Sequence, residues 1–132
     1  MVSINKSKNK PLYEQIMFSI KEDILHQILL PGEKLPSVRE LSTQLMMNPN
    51  TISKAYKLLE QEKVLVTVKG KGTYVNDEIS SKRNQIKVDE IHQKFNELLI
   101  EANYWKIKRK EIIGWVNKSF NMEENTDGNS ES

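Results

Sequence analysis

A mainly α-helical fold with one small β wing is predicted by three observations. Two helix-start signals stand close together, at Ser37 and Asn48. Two short runs rich in β-formers then flank Lys69, Gly70, Lys71 and Gly72. After residue 84 a heptad-like apolar periodicity sets in. The order helix, turn, helix, hairpin describes a winged helix-turn-helix, expected over residues 1–77. Two helices expected over 78–120 form a dimerisation segment, and 121–132 an acidic tail without order.

The first helix opens at Pro11 and is expected to run to about Leu29. Leu12, Ile16, Ile20, Ile24 and Ile28 recur every four residues, and Leu25 and Leu29 widen that stripe. Pro31 and Gly32 stop it. The second helix starts on a capping box, Ser37 with Glu40. The Ser hydroxyl takes the Glu40 amide proton while the carboxylate reaches back to the Ser37 amide. Pro36 reinforces the boundary by biasing the residue before it away from helix. Val38, Leu41 and Leu45 follow at helical spacing, and a turn is expected at about Met46.

Asn48 is a good N-cap for the third helix, and Pro49 fits its first position, where a missing N–H costs nothing. Ile52, Ala55, Tyr56 and Leu59 form the inward stripe. Asn50, Thr51, Ser53, Lys54 and Lys57 fall mainly on other faces. Amides, hydroxyls and cations there suit the base edges and phosphates of a major groove; an ordinary solvated face is the plainer reading. Val64–Val68 and Thr73–Val75 favour strands. The glycines between them permit a tight hairpin, and Lys69 and Lys71 at its tip suit phosphates.

Residues 76–84, NDEISSKRN, make a polar connector. Val88, Ile91, Phe95, Leu98, Ala102 and Trp105 then alternate spacings of three and four, a coiled-coil-like seam. After a break near 104–108, Ile112, Ile113, Val116 and Phe120 predict another helix. Two short helices cannot bury so much apolar surface alone, so the seam, with Ile112 and Val116, is assigned to a second copy of the chain.

Composition excludes several classes. With no cysteine among 132 residues there is no disulfide framework and no thiolate zinc site. His26 and His92 have no ligand partners at metal-binding spacing, so no metal site is expected, and no cofactor is implied. No apolar run approaches a membrane span, and Met1–Lys10 has no signal-peptide core, which points to a cytoplasmic protein with no membrane partner. That polar, lysine-rich start reads as a solvated tail or a basic arm. No phosphate loop, nucleophile elbow or His-Glu-x-x-His motif is present, so a binding module is preferred over an enzyme. Net charge is +3 over residues 1–77, +3 over 78–120 and −4 over 121–132. That surplus permits DNA binding without demanding it.

Four motifs, PLYEQI, PGEKLPSVREL, NPNTISKAY and GKGTYV, lie in order over residues 11–76. At these spacings the stretch resembles the DNA-binding domain of the GntR family of bacterial transcription regulators. The short remainder resembles the YtrA type, whose members add only a small helical dimerisation segment. The resemblance implies a DNA contact at Arg39, base reading from Asn48 to Thr51, and a wing around Gly70 entering the minor groove. Pro49 and Ser53 stand where many members carry arginine. Met46 and Lys63 stand where glycine usually closes a turn, so a left-handed backbone or an altered turn is expected at each.

The function expected is therefore sequence-specific binding of a double-stranded DNA operator by a homodimer, as a repressor. The interface expected comprises Ser37, Arg39, Asn48, Pro49, Asn50, Thr51, Ser53, Lys54, Lys57, Lys69, Gly70 and Lys71. The YtrA-type resemblance implies control of the regulator's own operon, often one for a membrane transporter. An unidentified small-molecule effector would have room between the wing domain and the helical tail. The competing reading is a winged-helix module for protein–protein contact, in which the cations would be scattered rather than gathered.

Overall fold

The computed structural model describes residue 4, residues 9–77 and residues 84–127. In chain order these form α1 (Leu12–Leu25), α2 (Val38–Leu45), α3 (Pro49–Gln61), β1 (Leu65–Val68), β2 (Gly72–Val75), α4 (Gln85–Tyr104) and α5 (Arg109–Asp127). The fold is mainly helical with a small winged hairpin, as the start signals and the β-type runs predict. Two compact units divide the chain, Met1–Ile79 and Ser80–Ser132. Most of the lysine-rich start and of the polar connector lies outside the described residues, as do residues 128–132.

In the first unit α3 is the central element, packed on α1, α2 and β1. Its inward stripe, Ile52, Ala55, Tyr56 and Leu59, is buried with Ile16 and Ile20 of α1, Leu41 of α2, and Leu35, Leu65 and Val75. Burying side chains of this size contributes roughly 1.5–3 kcal/mol each, before the entropy of ordering them is subtracted. A Lys21–Glu62 ion pair at 2.7 Å links α1 to the end of α3.

α1 ends earlier than its apolar stripe predicts. Gln27 adopts a left-handed backbone (φ 61°), and the amides of Ile28 and Leu29 both return to the Asp23 carbonyl, at 2.8 and 3.0 Å. This helix-terminating turn swings Leu29 into the core while Leu25 and Ile28 stay exposed. The four-residue repeat thus continues in sequence past the point where the helix stops. Asp23 is itself buried, at 6% exposure, and its Oδ2 has no hydrogen-bond partner among the described residues. Burial pushes its carboxyl above the ordinary carboxylate range.

The same device closes three other helices. Met46 (φ 54°), Lys63 (φ 63°) and Lys106 (φ 63°) are all left-handed. The next residue's amide then bonds back to the helix in each case: Met47 to Ser42, Val64 to Leu59, and Ile107 to Ala102. Met46 and Lys63 therefore take the glycine-like backbone rather than another turn.

β1 and β2 pair antiparallel, with Leu65 opposite Val75 and Val68 opposite Gly72. No sequence signal announces a third participant. Residues 32–35 lie along the other edge of β2: Gly32 N–H bonds Val75 O at 2.9 Å, Val75 N–H bonds Glu33 O at 2.8 Å, and Leu35 N–H bonds Thr73 O at 2.8 Å. Lys34 forms a bridge with Tyr74.

In the second unit α4 carries no buried residue, and α4 and α5 do not pack along one another over the described residues. Ile91, Phe95, Leu98, Trp105 and Val116 are exposed, and Val88, Ala102 and Ile112 are half-buried. α5 continues past Phe120 to Asp127, so residues 121–127 are helical where a tail without order is expected. Met122, Glu123 and Glu124 are good helix formers and favour extension past Phe120.

Candidate nucleic-acid interface

α2 and α3 are positioned by side chains that cap their own backbones. Ser37 Oγ accepts the Glu40 amide and Glu40 Oε1 accepts the Ser37 amide, both at 3.1 Å. These bonds, the Ser37 amide first, hold the Glu40 carboxyl below the ordinary range. Asn48 Oδ1 accepts the Asn50 amide at 2.8 Å, with Pro49 in the first turn of α3. Tyr56, near the middle of α3, donates its hydroxyl to Pro36 O at 2.6 Å. That bond ties the buried face of α3 to the entry of α2. Burial, with a smaller contribution from Glu40, pushes the Tyr56 phenol up to about 12.

With its core face so fixed, α3 presents Asn48, Pro49, Asn50, Ser53 and Lys54 as exposed residues at its N-terminal half, Lys57 exposed just past its middle, and Thr51 half-buried. Arg39 is exposed in the first turn of α2. Its backbone carbonyl accepts Thr43 Oγ1 at 2.9 Å and Ser42 Oγ at 3.2 Å. Among the described residues its guanidinium is in no ion pair.

Two side-chain bonds fasten the wing, one to α3 and one to the turn that follows it. Thr67 Oγ1 donates to Glu60 Oε1, and Asn76 Nδ2 donates to Lys63 O at 2.8 Å. At the tip the Lys71 amide bonds Val68 O at 2.9 Å, and Gly70, at φ 79°, occupies the third turn position, where a positive φ is required. Lys69, Gly70 and Lys71 are exposed there. The wing tip and the exposed half of α3 are thus parts of one hydrogen-bonded body.

Two of these residues also make contacts within the chain. Lys54 does not reach freely outward: its ammonium sits 4.0 Å from the centre of the Tyr13 ring in α1, a cation–π contact. Ser37 has its amide and its hydroxyl oxygen engaged in the capping box, so its first role is to start α2. Glu60 and Tyr13 carry positioning roles that no local pattern signals, because each acts on a residue remote in sequence or on another element. The residues expected at a dimer interface lie in the second unit. No helix among the described residues is long and apolar enough to cross a membrane.

These features define a winged helix-turn-helix regulator with a short helical extension. Residues 12–75 match the family model "Bacterial regulatory proteins, gntR family". The HTH-type transcriptional repressor YtrA of Bacillus subtilis (strain 168) is 40% identical over 116 residues, covering 88% of this chain and 89% of that protein. The crystal structure of a transcriptional antiterminator from Listeria monocytogenes EGD-e superposes with a TM-score of 0.85 at 36% identity, covering 90% and 89% of the two chains. AraR(DBD) in complex with operator ORX1 superposes with a TM-score of 0.51 at 31% identity, over 57% of this chain and 94% of that one. The chain belongs to the GntR family of bacterial regulatory proteins, and within it to the YtrA type.

Proposed function

We propose that this regulator is a repressor that binds an inverted-repeat operator as a homodimer. In this reading Asn48, Asn50, Thr51 and Ser53 read base edges in the major groove. Lys57, Lys69, Lys71 and Arg39 contact the backbone, with Gly70 letting the wing approach closely. The observation that carries the reading is the exposed polar N-terminal half of α3, whose opposite face is the core and whose wing is hydrogen-bonded to the same helix. The named repressor among its relatives supports the sign of regulation. The operator complex supports the partner.

The homodimer rests on the second unit. α4 and α5 expose Ile91, Phe95, Leu98, Trp105 and Val116 and find no cover in each other. A two-fold axis repeats each α3, so half-sites should be centred roughly one helical turn, about 34 Å, or a multiple of it apart. The test is selection of bound fragments from the source genome with the full chain. Enrichment of an inverted repeat supports the reading; recovery of no preferred sequence removes it.

A further inference from the structure

Lys34 lies outside the residues assigned above, and its placement is unusual. It sits in the segment that runs along β2, bridged to Tyr74. A Cβ added to Gly72 would come 2.7 Å from Lys34 Cε and 3.5 Å from its Nζ. The lysine stem therefore lies against the tip end of the wing, beside the residue that follows Lys71. Gly72, at φ 130°, has a backbone that side chains rarely adopt, and its bare Cα is what makes room for the stem.

The head group has no ion pair among the described residues. Its positive charge is felt at Glu40 in the first turn of α2, beside Arg39. Lys34 thus lies against the wing residue that follows Lys71, within electrostatic reach of the α2 turn that carries Arg39. A stem laid over apolar or backbone surface with its cation left in water is common, so packing alone does not require a ligand. Here, however, the stem is laid against the wing next to Lys71, one of the backbone contacts proposed above.

We propose that Lys34 is a further phosphate contact of the bound DNA, positioned by Gly72 and bridging the contacts of the wing to those of Arg39. This rests on the DNA-binding reading above. The contact is to the sugar–phosphate backbone, because an ammonium on a packed stem offers charge without base-specific geometry.

The experiment uses the full chain, a labelled random-sequence duplex and a fragment enriched in the genomic selection, titrated over a range of salt. Lys34→Met keeps the stem and removes the charge. It should weaken both duplexes alike and flatten the log–log salt slope by about 0.9, with an unchanged melting temperature; Lys34→Arg should restore the slope. Gly72→Ala should match Lys34→Met in affinity per folded molecule, and combining them should cost nothing more. A Lys34→Met slope equal to wild type overturns the proposal, as does full additivity of the two changes for the positioning by Gly72. Lys71→Ala keeps the two readings apart. If it flattens the slope and Lys34→Met does not, only this proposal falls; if the wild-type protein binds neither duplex, both fall.

Discussion

Tyr56→Phe should destabilise the first unit near neutral pH, and the deficit should shrink as pH rises. The ring is buried at 3% exposure, and its hydroxyl donates to Pro36 O at 2.6 Å. Removing that hydroxyl leaves the ring in place and the carbonyl without its donor, which costs roughly 1–3 kcal/mol. The pH dependence has a definite sign. The phenol is pushed up to about 12 in the folded chain, against about 10 when unfolded. A raised pKa stabilises fully below the unfolded value, and that stability is lost as pH climbs through the folded one. Between about pH 8 and pH 11 the wild-type advantage should therefore fall by about 1 kcal/mol, allowing for solvent screening. Urea unfolding of both proteins by far-ultraviolet circular dichroism, at several pH values, measures the difference. A gap that stays constant with pH, or a Tyr56→Phe variant as stable as wild type at pH 8, would refute the role of the buried hydroxyl.

Other outcomes follow from the same structure. Asn50→Ala should re-rank operator variants, whereas Lys71→Ala should weaken them all alike and flatten the salt slope by about one unit; competition binding across a variant panel separates the two. Arg39→Ala should shift stability by less than about 0.5 kcal/mol while operator affinity drops, since its guanidinium is in no ion pair among the described residues; a thermal melt beside a binding isotherm checks this. Phe95→Asp should give a monomer that keeps a folded first unit and loses its preference for the full repeat. Light scattering reads the mass, and the fluorescence of Trp105 and Trp115 reports the second unit alone. Met46→Gly should raise stability by about 1 kcal/mol by relieving the left-handed backbone at an 84% exposed side chain; unchanged or lower stability would mean that the Met46 side chain contributes more than its exposure implies.

What the sequence discloses here is what short-range chemistry controls. The Ser37–Glu40 box, the Asn48 cap and the stripe Ile52, Ala55, Tyr56, Leu59 involve partners within a few turns, and each is found where the spacing places it. The end of α1 was illegible because Leu29 keeps the helical period while Gln27 turns the backbone away from it. Residues 32–35 carry none of the β-branched alternation of a strand, since their pairing with β2 is imposed from across the fold. The Lys54–Tyr13 and Thr67–Glu60 contacts join separate elements, so no local window contains their reason. The extent of α5 shows the reverse: lack of apolar residues reads as tail, yet the helix runs on to Asp127.

The cap at the start of α3 also restricts the vocabulary available to it. Asn48 turns its carbonyl oxygen inward to the Asn50 amide, which leaves the NH2 group to face outward. A free asparagine both gives and takes, and so pairs in two-toothed fashion with adenine. Asn48 in this state gives more readily than it takes, because one of its oxygen's two lone pairs is already engaged. A base edge opposite it is welcome if it presents an acceptor, as guanine does at O6 and N7 or thymine at O4. The exocyclic amine of cytosine is the less favoured neighbour, since it must compete for an oxygen already in use. The operator letter facing Asn48 should therefore be narrowed by subtraction, through a group that this helix consumes in order to begin.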